Sequence, residues 1–172
     1  MAEEEFPLTP RWTITITDDP KETAGAMQAK KEWCETGRGV VVPWKCDHFG
    51  HMNVRFYAEA FDDASFHIWS VIGMPIDDIE MKYGLIGVLA SMKIDFLQEM
   101  KVGQLFVVES AITRVGTKSF AYTERMRNTH TGVTHATADI VEVFFDKKNR
   151  KAAAIPDDVH DLLDARLVAN NG

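Results

Sequence analysis

Apolar residues recur at spacings of three and four between Val54 and Ile72, which predicts an amphipathic α-helix of about five turns. Asn53 precedes this run at the N-cap position, where its side-chain oxygen can accept a hydrogen bond from a free N–H of the first turn. Gly73 and Pro75 follow the run and end the helix. The pattern therefore predicts one long helix with a single apolar face.

The segments around this helix read as strands. A β-branched run over 37–47, with Pro43 at an edge or bulge, predicts a strand before the helix. After a predicted loop over 74–83, four more strands are predicted, at 85–97, 104–115, 118–128 and 133–145. Short glycine-containing turns join these four strands, so neighbours must run antiparallel. The chain then ends in a short predicted helix, IPDDVHDLLDA. We expect an α+β architecture in which the long helix packs on one face of an antiparallel sheet.

The first part of the chain is harder to assign. A length of 172 residues fits one domain. We interpret residues 1–35 as an N-terminal extension and residues 36–172 as the main domain. Strict alternation over 11–19 predicts an extra strand in the extension, and 19–35 predicts a short helix interrupted by a glycine.

Charge and composition narrow the function classes. The net charge of -7 and the pI of about 5.3 argue against nucleic acid as a partner, because phosphate-backbone binding needs a basic face. The acidic N-terminus is unlike a signal peptide, and the sequence has no apolar run of membrane-spanning length. We therefore expect a cytoplasmic protein without a membrane partner. Cys34 and Cys46 have no metal-type spacing and imply no disulfide framework.

The stretch CDHFGHMN, residues 46–53, carries the candidate chemistry because it lies at the start of the long helix. A helix N-terminus presents free N–H groups and positive partial charge, which suit a developing oxyanion. Asp47 could act there as general base or nucleophile, Gly50 permits close backbone approach, and His51 could donate a hydrogen bond or position a water. The alternative is an ordinary turn, with Asn53 serving only as a helix cap.

The segment VPWKCDHFGHMNVRFYAEAFDDA resembles the hotdog-fold acyl-CoA thioesterases of the 4-hydroxybenzoyl-CoA thioesterase type. Members of that group carry a D-x-x-G-[H/I/V]-x-[N/W]-x-x-x-Y pattern before their central helix. It is matched here by Asp47, Gly50, His51, Asn53 and Tyr57. The runs VLASMKIDFLQEMKVGQLFVVESAITRVGTKSF and ATADIVEVFFDKKNRKAAAIP are also similar to the family's strands. The resemblance covers roughly residues 36–165 and leaves residues 1–35 without a clear counterpart.

The resemblance implies a hotdog fold, in which an antiparallel β-sheet wraps one long central helix. It implies hydrolysis of an acyl-CoA thioester to a free acid and CoA, with no metal or other cofactor. Asp47 would be the catalytic carboxylate, and the backbone N–H near Val54 would polarise the thioester carbonyl. His51 and Asn53 would be polar active-site positions. The family also implies a homodimer or homotetramer whose sites lie between subunits.

Some relatives place their acid on the helix, which makes Glu59, Asp62 and Asp63 alternatives to Asp47. Glu59 ranks second, although Glu59 and Asp62 lie on the predicted polar face of the helix. Asp63 could equally form an ordinary i,i+4 pair with His67.

An acidic protein that binds CoA needs a local basic cluster for the phosphates. Candidate residues flank the turn between the strands at 104–115 and 118–128; they are Arg114, Lys118, Ser119, Arg125 and Arg127. By strand alternation Ser119, Arg125 and Arg127 share one face. Charged strand positions can also be simple solvated edges.

Two other functions stay open. A non-catalytic acyl-CoA-binding hotdog module would keep the fold and the basic cluster but would not need Asp47. A hotdog hydratase or dehydratase is disfavoured, since its D-x-N-P-x-H pattern is replaced here by Phe49, Gly50 and Met52 at the key positions. The acyl group is not predictable from the sequence.

Overall fold

The computed structural model describes residues 33–168 of the chain. The elements, in chain order, are β1 (Cys34–Val40), a 3₁₀ turn (Pro43–Lys45), α1 (Val54–Ile72), α2 (Ile76–Tyr83), β2 (Leu85–Phe96), β3 (Leu105–Val115), β4 (Ser119–Asn128), β5 (Thr134–Asp146), β6 (Lys151–Ala152) and α3 (Asp157–Ala165). The predicted strand at 11–19 and most of the predicted helix at 19–35 lie outside the described residues. Within the described part, no helix is long and apolar enough to cross a bilayer.

The six strands of the described residues pair antiparallel in one sheet of order β1-β3-β4-β5-β2, with the short β6 paired to β5. The strands β3, β4 and β5 pair with one another across short turns, as predicted, but β2 does not pair with β3 despite the short link between them; its partner is β5. The two edge strands, β1 and β2, are separated in sequence by α1. The predicted antiparallel α+β architecture is confirmed, and it is the hotdog fold.

Helix α1 packs its apolar stripe against the sheet and begins and ends as its sequence predicts. Asn53 caps the first turn, and Gly73 ends the helix in the left-handed conformation at φ 90°. Trp69 is fully buried and meets Phe120 and Phe144 edge-on, at ring-centroid distances of 5.2 and 5.7 Å. Each large apolar side chain buried in this way stabilises the fold by roughly 1.5–3 kcal/mol.

The region predicted as a loop at 74–83 is instead largely helical. Helix α2 carries Asp77 and Asp78 in its first turn and Lys82 in its last, and charges at these positions interact favourably with the helix dipole. Gly84 adopts the left-handed conformation that closes the helix. With only Ile79 buried, the apolar periodicity is too weak to mark an eight-residue helix.

Strand β1 also differs from its prediction. It begins at Cys34 and ends at Val40, so it includes the last two residues of the predicted helix at 19–35. The boundary proposed after residue 35 therefore falls inside this strand. Pro43 starts the 3₁₀ turn that follows, a position at which the fixed φ of proline suits a helical turn.

A polar network is buried between the sheet and α1. Ser110 Oγ donates to Glu124 Oε1 at 2.9 Å and lies 2.6 Å from Thr36 Oγ1, while Tyr122 Oη donates to Glu142 Oε1 at 2.6 Å. Glu124 is 0% exposed, and within the described residues no hydrogen bond satisfies its Oε2. A carboxylate in this position would be a poorly compensated buried charge.

Burial raises the pKa of Glu124 to about 8 and the pKa of Glu142 to about 7. The hydrogen bonds from Ser110 and Tyr122 oppose these shifts but do not cancel them. Both groups release their protons more readily in the unfolded chain than in the folded one. Their contribution to the free energy of unfolding is therefore complete below about pH 4.5 and is lost as the pH rises through their pKa values in the folded protein.

We predict that the free energy of unfolding falls between pH 5 and pH 8, with a slope of up to ~1.4 kcal/mol per pH unit for each proton involved. Glu124→Gln should flatten this dependence and stabilise the protein at pH 8, because the amide stays neutral. Urea denaturation at several pH values measures the effect. Glu80→Gln, at an exposed ion pair with Lys147, is the control and should keep the wild-type slope. An unchanged slope in Glu124→Gln would contradict the prediction.

Candidate active site

The loop before α1 is a tight hairpin. The Asp47 N–H donates to the His51 carbonyl at 2.9 Å, and the Asn53 N–H donates to the Lys45 carbonyl at 2.9 Å. Gly50 lies at the tip with φ +81°, a left-handed conformation that a residue with a Cβ adopts only at a cost. The polar residues of this loop are thereby held together at the start of the helix.

Asp47 is half-buried, and its carboxylate is held by the loop itself. Its Oδ1 accepts hydrogen bonds from the N–H of Phe49 at 2.9 Å and of His51 at 3.2 Å. Desolvation tends to raise the pKa of Asp47, but these two bonds and the nearby His48 and His51 rings outweigh it and lower the pKa below its usual value. The group is an ionised carboxylate at neutral pH, with its second oxygen, Oδ2, outside these two bonds.

The N-terminus of α1, which directly follows the hairpin, presents a free backbone donor. Asn53 engages the next N–H groups, since its Oδ1 accepts from Arg55 at 3.2 Å and its carbonyl accepts from Phe56 at 2.9 Å. Within the described residues, no hydrogen bond takes up the N–H of Val54. Asp47 pairs with His51 in the hairpin, two residues from the capping residue Asn53.

A cavity of about 270 Å³ adjoins the helix start. It is lined by Met52, Val54, Tyr57, Phe96, Leu97, Gln98 and Glu99. Tyr57 Oη accepts a hydrogen bond from the Met100 N–H at 3.1 Å, and burial raises the pKa of this phenol. The cavity therefore combines apolar walls with a few polar groups, as small-molecule sites usually do.

The structure adds Glu99, which was not predicted as a site residue. Its Oε1 lies 3.3 Å from His51 Nε2. An isolated bridge between His51 and Lys101 brings the hairpin and the β2–β3 turn together. His51 and Glu99 are 48 positions apart in the sequence, and no local sequence pattern marks such a contact.

The helix acids lie elsewhere. Glu59 forms an ion pair with Lys45, whose Nζ donates to Glu59 Oε1 at 2.7 Å. Glu59 and Asp63 line a cavity of about 600 Å³ between α1 and β1, together with Trp44 and Phe66 among others. Asp62 lines a separate small cavity of about 70 Å³. The structure thus separates the helix acids from Asp47, and the larger cavity keeps Glu59 as the rival position.

The predicted basic residues form two groups rather than one cluster. Arg114 and Ser119 approach the turn glycine Gly116, next to Lys118. Arg125 lies farther along β4, on the same outer face as Ser119 but six residues away, or about 20 Å. Ser119 and Arg125 share one face of β4, as the alternation predicts. Residues that share a face of an extended strand can still lie far apart along it.

Glu109 partly neutralises the second group. Its Oε2 lies 2.7 Å from the Nε atoms of both Arg125 and Arg127, and these two arginines lower the pKa of Glu109 against the opposing effect of burial. Arg125 also stacks over the Trp33 ring at 4.1 Å. This site keeps one net positive charge on the outer face of the sheet.

Comparison with known proteins agrees with this architecture. The family model described as the thioesterase-like superfamily matches residues 41–163. No curated protein sequence matches the chain.

Several solved structures share the fold. The hypothetical protein SAV2348 from Staphylococcus aureus, in complex with CoA, has a TM-score of 0.71 and 16% identity, over 78% of this chain and 84% of that one. A mutant 4-hydroxybenzoyl-CoA thioesterase complexed with 4-hydroxybenzoyl-CoA has a TM-score of 0.66 and 20% identity, over 73% and 95%. The probable thioesterase YbaW from Escherichia coli has a TM-score of 0.65 and 19% identity, over 76% and 96%. At these identities the similarity establishes the fold.

We predict that the side chain of Asn53 acts as a helix cap. Asn53→Ala should lower the free energy of unfolding by about 1 kcal/mol, because one N–H of the first turn loses its acceptor. Asn53→Asp keeps that acceptor and should retain most of the stability. Denaturant unfolding of both variants checks this. If Asn53→Ala were as stable as the wild type but lost activity, the side chain would instead serve the reaction.

Proposed function

The chain belongs to the thioesterase-like superfamily, and from that premise we propose that it hydrolyses an acyl-CoA thioester to a free acid and CoA. One observation carries the proposal: an ionised carboxylate, Asp47, is fixed in the hairpin that leads into the N-terminus of α1. The cavity at the helix start provides a place for the acyl group.

In the proposed reaction the thioester carbonyl oxygen faces the N–H of Val54. The first turn of a helix carries positive partial charge, which stabilises the negative charge that develops on this oxygen. A second subunit covering the exposed apolar residues of the cavity would exclude water and strengthen the interaction. The donor is pre-oriented because Asn53 fixes the first turn.

Asp47 can act by two routes. As a general base it takes a proton from water while the water oxygen bonds to the acyl carbon, the C–S bond breaks and its electron pair leaves with sulfur. As a nucleophile its oxygen bonds to the acyl carbon and expels the CoA thiolate, and water then hydrolyses the mixed anhydride. Both routes use the ionised form favoured by the loop hydrogen bonds. Neither requires a metal or another cofactor, so we propose none.

The proposed substrate class draws on two of the similar structures, one in complex with CoA and one with 4-hydroxybenzoyl-CoA. For the CoA phosphates we propose Arg114, Lys118 and Ser119 at the β3–β4 turn, and Arg125 and Arg127 on the outer face of the sheet. Guanidinium groups suit phosphate because they donate two parallel hydrogen bonds. The acyl group itself stays unassigned.

A non-catalytic acyl-CoA-binding module is the second candidate. One observation favours it: both hydrogen bonds to Asp47 Oδ1 come from its own loop, as in an ordinary Asx-type turn. Under that reading Asp47 is structural. Saturable binding of acyl-CoA without release of free thiol would identify it.

We further propose that the protein is a homo-oligomer, at least a dimer. Strand β2 pairs only with β5 among the described strands, so its other edge is open. Phe96 and Leu97, at the end of this strand and next to the cavity, are 51% and 57% exposed. A second copy against this edge would cover them and complete the walls of the site, and closed twofold symmetry is the commonest arrangement.

We predict that Asp47→Asn lowers kcat at least a hundredfold. The amide oxygen can still accept the two loop hydrogen bonds, so the hairpin should persist while basicity and nucleophilicity are lost. Release of free thiol from a panel of acyl-CoAs measures kcat, and the Kd of a non-hydrolysable analogue should change little.

Glu59→Gln is the matched comparison, since it removes the rival carboxylate next to the larger cavity. If Asp47→Asn turned over normally and Glu59→Gln did not, the catalytic acid would lie on the helix. If both variants and the wild type bound analogue without releasing thiol, the binding module would be the correct function.

For the oligomer we predict sedimentation as a dimer or tetramer at micromolar concentration. Phe96→Glu should shift the protein towards monomer, because it buries a charge in the proposed contact. Met81→Glu, at an exposed position on α2, is the control and should not. A wild-type monomer at this concentration would contradict the proposal.

A further inference from the structure

The contact between His51 and Glu99 joins two residues that the proposed reaction treats separately. Nε2 of His51 lies 3.3 Å from Glu99 Oε1, and the two side chains are 30% and 55% exposed. We propose that Glu99 is a positioning residue: it holds the His51 imidazole with its proton on Nε2, so that Nδ1 accepts a hydrogen bond from the attacking water. This inference rests on the proposed thioesterase function.

The backbone around Glu99 is well anchored. The Met52 N–H donates to the Met100 carbonyl at 2.8 Å, and Met100 is fully buried. His135 Nδ1 lies 3.0 Å from the Glu99 carbonyl oxygen, and His135 is 5% exposed. Glu99 is therefore presented from a fixed segment, although its carboxylate reaches solvent.

The backbone of His51 is fixed from the other side. Its N–H donates to Asp47 Oδ1 at 3.2 Å, and its carbonyl accepts from the Asp47 N–H at 2.9 Å. The residue that clamps the catalytic carboxylate thus also carries the ring held by Glu99. With its backbone held by Asp47 and its Nε2 next to Glu99, the ring can keep one orientation.

The electrostatics favour one tautomer. A neutral imidazole carries its proton on one nitrogen and accepts at the other. A carboxylate close to Nε2 stabilises the proton there and leaves Nδ1 as the acceptor. Two other charged groups act on this pair: Asp47, which interacts electrostatically with His51, and Lys101, whose Nζ lies 3.6 Å from the same Glu99 oxygen.

An acceptor at Nδ1 has a role in both proposed routes, because each includes attack of a water on an acyl carbon. The water needs its oxygen lone pair directed at that carbon and its hydrogens directed at acceptors. His51 would supply one acceptor and restrict the orientation of the water. Such orientation contributes to rate without changing the affinity for substrate.

Two substitutions of the full-length protein separate this role from simple structure. Glu99→Gln keeps a side-chain oxygen that can accept from Nε2–H. Glu99→Met has a similar length and no comparable acceptor. Glu80→Met is the matched control, because it removes a glutamate of α2 from an exposed ion pair with Lys147.

The first measurement is the tautomer. In protein labelled with ¹⁵N-histidine, the ring nitrogen shifts of His51 show which nitrogen carries the proton, and a His51→Asn variant assigns the signals. We expect the Nε2–H form in the wild type, in Glu99→Gln and in Glu80→Met, and a mixture of tautomers in Glu99→Met.

The second measurement is thiol release from acyl-CoA. We expect Glu99→Met to lower kcat roughly ten- to a hundredfold, with KM within about twofold and an unchanged melting temperature, while Glu99→Gln and Glu80→Met stay within about threefold of wild type. A wild-type tautomer or a wild-type kcat in Glu99→Met would overturn the inference. The inference would also be overturned if Glu99→Gln and Glu99→Met lowered kcat to the same extent and both lowered the melting temperature, since that would indicate a structural role.

The two proposals fail differently. A wild type that releases no thiol from any acyl-CoA refutes the thioesterase function, whatever the tautomer of His51. An active wild type with an inactive Asp47→Asn and a fully active Glu99→Met supports the function and refutes the role of Glu99.

Discussion

The packing of α1 against the sheet is the interaction on which the rest of the structure depends. Its buried stripe includes Trp69, which meets Phe120 of β4 and Phe144 of β5, so the C-terminal half of the helix is fixed to the centre of the sheet. With the helix axis fixed, the position of its first turn is also fixed. The hairpin that carries Asp47 is built on that turn, so the candidate chemistry takes its position from apolar contacts several turns away.

Elements with local signals were predictable, and elements made by long-range pairing were less so. The limits of α1 followed from Asn53, the apolar period and Gly73, all of which act within one turn of the helix ends. Helix α2 was missed because one buried residue gives no periodicity. The ends of β1 were misplaced because its sequence, CETGRGV, has two glycines and no alternation, so pairing with β3 determines its strand state.

The same distinction applies to the candidate site. Asp47 and His51 were predicted together because they lie within one short loop. Glu99 could not be, since only a backbone bridge between His51 and Lys101 brings it to that loop. The basic residues were grouped too closely: alternation assigns a strand face but says nothing about distance along the strand, and the partner of Arg125 and Arg127, Glu109, lies on another strand.

The strand order has a consequence for how the chain folds. The meander β3–β4–β5 is closed by short turns, whereas β2 must find β5 across the two intervening strands, with Met92 opposite Ile140. Because closing longer loops costs more chain entropy, the meander should form first, and both edge strands, β1 on β3 and β2 on β5, should add later. The edge proposed to join two subunits would then order after the meander, which makes assembly a late, concentration-dependent step. Substitutions at Phe120 should accordingly slow folding, and those at Met92 should mainly speed unfolding, which φ-value measurements can test.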